Sequence, residues 1–327
     1  MRFDVTAVGE LLIDFTPNGK NEQGMELFAR NPGGAPANVL AMNARLGGET
    51  AFIGKVGQDA FGEFLRQTLA DSRIDVSGLV VDERVPTTLA FVQLDSHGDR
   101  AFSFYRNPGA DLMLSPEEIC KNVIEDCEIF HFGSVSMTGD PSRAATFEAV
   151  ACARQMGKLV SFDPNFRPLL WKNTEDAKVQ MKQGACTADL IKVSREELKL
   201  LTGESDLQKG SEKLLELGAS LVLVSLGPEG AFYRNQNAIG QLHTYDVKTV
   251  DTTGAGDAFL GAVHYRLKEK SAQQLRELSK DELEDIVDFA NAAGSLTTAK
   301  KGAIPAMPSR QEIEKCRKTI PLLLSNF

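Results

Sequence analysis

Short apolar runs alternate along this chain with longer stretches of helical periodicity. The runs predict strands over 4–9, 50–56, 87–94, 100–106, 128–132, 159–163, 189–193, 220–225, 230–234 and 242–247. The stretches between them predict helices over 36–46, 60–71, 140–156, 174–186, 195–202, 207–217, 255–267, 282–299 and 309–318. Such alternation implies an α/β fold of three layers, a parallel sheet core flanked by helices. Ligands then gather at the carboxyl ends of the strands. Two regions break the pattern. Residues 10–31 read as strand, turn, strand, and residues 87–106 as a hairpin around Ser96-His97-Gly98-Asp99. Both lack an adjacent helix. They form either a small β-sheet lid over a pocket or extra edge strands of the main sheet. The charged stretch 268–285 reads as a solvated connection between helices.

Composition narrows the class. The 327 residues are 42% hydrophobic and 25% charged, ordinary for a soluble globular protein. No apolar run approaches the ~20 residues that span a bilayer. The first strand begins almost at Met1 with no signal-peptide core, so the expected location is cytoplasmic. A net charge of −9 argues against nucleic acid as partner. The five cysteines have no Cys-x-x-Cys spacing and the four histidines no metal-ligand spacing, which excludes the common zinc and redox motifs.

The chemistry concentrates in Asp251-Thr252-Thr253-Gly254-Ala255-Gly256-Asp257, which is followed by the apolar run Ala258–Val263. A small-residue turn leading into a helix leaves the first backbone N–H groups without intrahelical acceptors. Those of Gly254, Ala255 and Gly256, together with the helix dipole, would make an anion site. Asp257 would then sit beside bound phosphate, suited to act as base for an attacking hydroxyl, unless it merely caps the helix. The P-loop motif is absent. Gly254-Ala255-Gly256 is not a dinucleotide fingerprint either, since Phe259 stands where the third glycine belongs.

A second glycine cluster, Asn31-Pro32-Gly33-Gly34-Ala35-Pro36-Ala37-Asn38, also opens a helix, with Pro36 in its first turn. Gly33 and Gly34 can offer backbone amides to hydroxyls and Asn38 its side chain. Asp14, a carboxylate among apolar neighbours, needs donors, and sugar hydroxyls would serve. In Phe102-Ser103-Phe104-Tyr105-Arg106, Arg106 is suited to a hydroxyl or phosphate. Arg167, after Ser161-Phe162-Asp163-Pro164-Asn165-Phe166, is a candidate phosphate clamp. Ser194 and Glu197 have the spacing of a capping box, and Glu197 can also reach magnesium through water. Ser225-Leu226-Gly227-Pro228-Glu229-Gly230 is a glycine turn, made either for a nucleotide or for a hairpin.

The two glycine clusters together resemble the paired signatures of the ribokinase-like sugar kinases, in the same order and with a similar separation. The resemblance runs from Val5 to about Pro308, and the nearest likeness is to fructokinases. It carries Phe104–Asp111, Asp163–Arg167 with Trp171, and Gly302–Pro308. It implies one kinase domain over 1–327, with a lid from about 10–31 and 87–107. It implies transfer of the ATP γ-phosphate to a sugar hydroxyl, fructose first among sugars. The implied roles are Asp257 as base, the Gly254, Ala255 and Gly256 amides as anion hole, and Asp14, Gly33, Gly34, Asn38 and Arg106 for sugar. Ser225, Gly227, Gly230 and Asn291 would line the nucleotide site, and Glu197 would organise Mg2+. Ser194 replaces the asparagine usual in ribokinases. Ala306 stands where some ribokinases have a serine ligand, which leaves a K+ site open. A homodimer through the lid edges is a further expectation. The competing readings are a 2-keto-3-deoxygluconate kinase, whose substrate carboxylate Arg106 and Arg167 could hold, and a non-catalytic sugar sensor on the same fold. Against the acid-binding reading stands Asp111, which brings negative charge near the lid.

Overall fold

The first strand, β1 (Phe3–Val8), is buried along nearly its whole length and lies inside a nine-stranded sheet. The computed structural model describes residues 2–94 and 100–324, so the turn expected at Ser96–Asp99 lies outside the described residues. The strands are β1, β2 (Leu12–Lys20), β3 (Glu26–Gly33), β4 (Thr50–Gly57), β5 (Ile74–Asp82), β6 (Leu89–Leu94), β7 (Arg100–Tyr105), β8 (Cys127–Gly133), β9 (Leu159–Asp163), β10 (Leu190–Ser194), β11 (Leu221–Ser225), β12 (Ala231–Arg234) and β13 (Ile239–Leu242). The large sheet has the order β13-β12-β11-β10-β9-β8-β1-β4-β5. It is parallel from β11 through β5, and only the β11–β12 and β12–β13 pairs are antiparallel.

Alternation along the strands divides the core between the two faces of the sheet. Leu221 and Leu223 point to one face, with Val39 and Leu40 of helix Ala35–Arg45, Leu260 and Val263 of helix Ala255–Leu267, and Phe289 of helix Lys280–Thr297. Val222 and Val224 point to the other, with Ala149, Met181, Leu198 and Leu214 from four further helices. This is the expected three-layer α/β arrangement.

The two irregular regions form a separate four-stranded sheet of order β3-β2-β6-β7, so the lid reading holds over the edge-strand one. β2 pairs antiparallel with β3 and parallel with β6, and β6 pairs antiparallel with β7. Strand β3 ends at Gly33, one residue before Gly34 caps helix Ala35–Arg45, so the lid is tied directly to the first glycine cluster.

Three expectations need correction. β5 was not anticipated: Asp75, Ser77 and Gly78 interrupt its apolar positions, and as an edge strand it buries only part of one side. The strand expected at 242–247 lies earlier, at β13, because Ile239–Leu242 is the register that pairs with β12. Beyond it only Tyr245 forms an isolated bridge, to Leu322. The charged stretch is not merely solvated. It contains helix Ala272–Glu277, and it buries Leu275 and Leu278, whose carbonyls accept hydrogen bonds from Asn235 Nδ2 at 2.9 Å each.

Candidate active site

The loops after β1, β8 and β9, Lys192 within β10, the lid strands and the start of helix Ala255–Leu267 converge on a cavity of about 560 Å³, a size typical of small-molecule sites. Gly254 caps that helix at φ 76°, a left-handed conformation open to glycine, and a Cβ there would stand 2.5 Å from Ala303 Cβ. Asp257 follows in the first turn and is 8% exposed. Its Oδ2 accepts from Asn38 Nδ2 at 2.8 Å and its Oδ1 from Asn165 Nδ2 at 3.2 Å. Both glycine clusters thus meet at one carboxylate. Burial and the charge of Asp163 push the Asp257 pKa up, while Lys192, Asn38 and Arg167 oppose the rise.

The anion-hole expectation needs one correction. The Ala255 amide donates to Thr252 O at 3.3 Å, closing a turn, so it is not left open, and Ala255 does not line the cavity. Gly254 and Gly256 do line it. The loop itself is held by Asp251, whose Oδ1 accepts from Thr253 N and Oγ1 and whose Oδ2 accepts from Gly302 N.

On the lid side, Asp14 faces the cavity from β2. Burial, with the nearby charge of Asp257, raises its pKa to about 6, against the pull of Arg167. Gly33 makes room for it: a Cβ at 33 would come within 2.3 Å of Asp14 Oδ2. Gly34 sits at φ 120°, and a Cβ there would strike Glu10 O at 2.3 Å. Asn38 lines the cavity, and its buried Oδ1 has no hydrogen-bond partner among the described residues. Arg167 is exposed at the cavity, bonded only weakly to Phe166 O at 3.2 Å.

Several expected site residues lie elsewhere. Arg106 does not reach the cavity. Its side chain is 4% exposed, and the guanidinium is bound to Asp111 Oδ2, Thr138 Oγ1 and Val135 O. The ion pair also neutralises Asp111, so the argument against an acidic substrate from that residue's charge falls away. Glu197 is engaged by backbone: Oε2 accepts from Ser194 N and Oε1 from Phe166 N, both at 2.7 Å. The capping box with Ser194 is present, and the same carboxylate pins the loop that carries Asn165 and Arg167. Burial and Asp163 raise its pKa, against Lys192 and the two amides. Ser225, Gly227, Gly230 and Asn291 do not line the cavity. They gather to one side of it, around the antiparallel hairpin of β11 and β12 and the segment that follows β13. A Cβ on Gly230 would lie 2.0 Å from Leu242 O, and Asn291 Nδ2 donates to Leu242 O and His243 O at 3.2 Å each. Ser225 Oγ donates to Val193 O at 3.3 Å.

Three cavity residues were not singled out beforehand. Glu10 caps Ala35 N at 2.8 Å, while its buried Oε2 is unpartnered among the described residues. Burial lifts its pKa to about 7. Asn165, at φ 48°, holds Asp257. Lys192 is buried against Asp163, Nζ to Oδ2 2.8 Å. Each carries a sequence signal: Glu10 and Asn165 are a charged and an amide residue just past the carboxyl ends of apolar strands, and Lys192 is a charged residue inside one.

Among the described residues no group of three or more His, Cys, Asp or Glu could hold a metal ion, and no helix is long and apolar enough to cross a membrane. The chain matches the model of the pfkB family carbohydrate kinases over residues 2–310. It is 42% identical to Fructokinase-1 of Oryza sativa subsp. japonica, across 95% of this chain and 96% of that protein. It superposes with a TM-score of 0.89 on the crystal structure of fructokinase with bound ATP from Xylella fastidiosa, 35% identical, covering 96% of this chain and 98% of that one. A double mutant of Vibrio cholerae O395 fructokinase, crystallised with fructose, ADP and potassium ion, gives 0.85 at 34% identity, covering 97% and 99%. A match of this extent, carried by a cavity on which both glycine clusters converge, identifies the chain as a member of the pfkB family of carbohydrate kinases.

Proposed function

We propose that this kinase phosphorylates fructose with ATP, and that Asp257 is its base. The observation that carries the assignment is the meeting of Asn38, Asn165 and Asp257 in one cavity with Asp14 and Arg167. The sugar hydroxyl oxygen forms its bond to the γ-phosphorus as the bond from that phosphorus to the bridging oxygen breaks. The hydroxyl proton passes to Asp257, and ADP leaves. Asn38 and Asn165 fix the carboxylate, and the Gly254 and Gly256 region gives the phosphoryl group a close approach to backbone. Asp14 and the free Oδ1 of Asn38 are acceptors suited to sugar hydroxyls. Gly33 and Gly34 belong to the sugar side because they make room for Asp14 and for the Glu10 backbone.

Ser225, Gly227, Gly230 and Asn291 belong to the nucleotide side in this reading, on the flank of the cavity. Both oxygens of Glu197 are taken by the amides of Phe166 and Ser194 and the residue does not line the cavity, so in this reading magnesium would arrive on the nucleotide phosphates with its own waters, and Glu197 would act on the site by holding the Asn165–Arg167 loop. When bound, magnesium supplies neutralisation of phosphate charge. Potassium and the cytoplasmic location remain part of the proposal. So does a lid-to-lid homodimer, supported by exposed Leu27 and Phe28 on edge strand β3 and Tyr105 on edge strand β7.

Fructose ranks ahead of 2-keto-3-deoxygluconate because the relatives named above are fructokinases. It is also favoured because Arg106, one of the two arginines that could hold a carboxylate, is occupied by Asp111. The test is kcat/KM for fructose, 2-keto-3-deoxygluconate, ribose and adenosine at saturating ATP and magnesium. Fructose should be preferred. A preference for 2-keto-3-deoxygluconate would overturn the substrate but not the kinase, and tight sugar binding without any turnover would favour the sensor.

A further inference from the structure

Lys192 is a charged residue in an apolar strand. It lies between Ile191 and Val193 of β10, both fully buried, and its own side chain is 8% exposed. Burying an ammonium is costly unless its donors are matched. Asp163, at the end of the neighbouring strand β9, accepts one hydrogen bond from Nζ at 2.8 Å. An ammonium has three donors, and among the described residues Asp163 is its one hydrogen-bond partner. The remaining donors belong to a side chain that lines the same cavity as Asp257.

Its place in that cavity is specific. Nζ lies 3.0 Å from where a Cβ on Gly256 would stand, so the ammonium rests against the first turn of helix Ala255–Leu267. Glycine at 256 is what leaves the space for it. The ammonium and the positive end of the helix therefore face one spot from two sides, beside the proposed base. The other groups facing that spot are Asp163 from β9, Asn165 and Arg167 from the following loop, Asn38 from helix Ala35–Arg45, and Asp14 from the lid. Burial works against the ammonium, but Asp163, Glu197 and Asp257 outweigh it and keep Lys192 charged.

We propose that Lys192 is a catalytic residue, an ammonium anchored by Asp163 that contacts the phosphoryl group during transfer. The proposal rests on the kinase reading above. An anchored cation aimed where charge develops stabilises the transition state more than the ground state. Lys192 should therefore act on kcat and leave sugar binding alone. It takes no proton in the step: the hydroxyl proton goes to Asp257, and the ammonium keeps its three hydrogens.

The test compares Lys192→Met, Lys192→Arg and the double variant Lys192→Met/Asp163→Asn, with wild-type turnover of fructose as the control. If wild-type protein phosphorylates no sugar, the kinase reading fails first, and this proposal with it. Otherwise Lys192→Met should lower kcat by about 10²–10³-fold, the effect of losing one preorganised charge-stabilising donor, with fructose KM nearly unchanged. The double variant removes the orphaned Asp163 charge, so it should regain thermal stability without regaining kcat. Lys192→Arg should recover part of the loss. Binding supplies a readout apart from turnover. In the presence of fructose, the wild-type protein should bind ADP–aluminium fluoride, whose planar fluoride mimics the phosphoryl group in transfer, more tightly than ADP, and the double variant should lose most of that difference. Recovery of kcat in the double variant would show a purely structural ion pair and overturn the proposal. So would a fructose KM that rises in step with the loss, or an undiminished preference for ADP–aluminium fluoride.

Discussion

Replacing Asp257 by Asn removes a charge and a proton acceptor while preserving shape. The new amide would set an NH2 against the NH2 of Asn38 or Asn165. On the Asn38 side the conflict has a ready solution. The buried Oδ1 of Asn38 has no partner, so a flip of that amide presents an acceptor in the same place. The fold should therefore survive, and stability should rise. Burial, with Asp163, raises the folded pKa of Asp257 above its unfolded value. Between those two values the folded state holds more protons than the unfolded one, so wild-type stability falls as pH rises through that window. The Asn variant lacks this cost, and its melting advantage over wild type should grow with pH up to the folded pKa and then level off. Activity should move the opposite way. A positioned base contributes ~10²–10⁴-fold. No neighbouring carboxylate can stand in, because Asp163 is locked against Lys192 and Asp14 belongs to the lid. We therefore expect the upper half of that range, a loss of ~10³–10⁴-fold in kcat, about 4–5.5 kcal/mol at 1.36 kcal/mol per decade. The assay is steady-state turnover with fructose and ATP, paired with thermal melts across pH. Near-normal kcat, or a kcat loss accompanied by a lowered melting temperature, would refute the reasoning.

Asp14→Asn should lower kcat/KM for fructose and remove an acid limb centred near pH 6. Burial holds Asp14 at about that pKa, and its protonated form accepts fewer hydroxyl donors as pH falls; a wild-type profile flat through that region would exclude the role. Gly256→Val should abolish turnover with little change in melting, because its Cβ would press the Lys192 ammonium from 3.0 Å and close the approach to backbone; full activity would remove this loop from the phosphate site. Arg106→Met leaves Asp111 buried and unpaired, so a denaturation midpoint should fall by an equivalent of about 3–5 kcal/mol, with partial recovery in Arg106→Met/Asp111→Asn. A single variant as stable as wild type would show that the pair carries no such cost.

Much of the fold was legible because it is local. Apolar runs in β1, β9, β10 and β11 and helical periodicity between them survive in the structure almost unchanged. The two glycine clusters were legible for the same reason, since small residues before a capped helix describe a backbone shape. β5 was hidden because an edge strand needs only alternate apolar positions, and polar residues fill the rest. Arg106 was misdirected by its setting in a lid strand. The acceptor that claims it, Asp111, lies only five residues on, across an Asn107-Pro108 turn, so the competing ion pair could have been weighed from spacing.

What sequence could not supply is convergence across distance. Asn38 and Asp257 are 219 residues apart and Asn165 and Asp257 are 92 apart, yet the three side chains share two hydrogen bonds. The parallel sheet produces that meeting. β1, β9 and β10 run in one direction side by side with β8, so the residues just past their carboxyl ends arrive at one rim. Helix Ala255–Leu267 packs on helix Ala35–Arg45, where a Cβ on Gly261 would strike Val39 O at 2.4 Å, and this close contact sets the two helix starts side by side. A glycine in the middle of that helix thus governs the distance between Asn38 and the proposed base. The lid then covers the same rim because β3 runs without a break into Gly33 and Gly34. Any shift of β3 therefore moves the start of the Asn38 helix through the chain and Asp14 through its pairing with Asn31, which couples sugar contacts to the orientation of Asp257 through the protein rather than through the ligand.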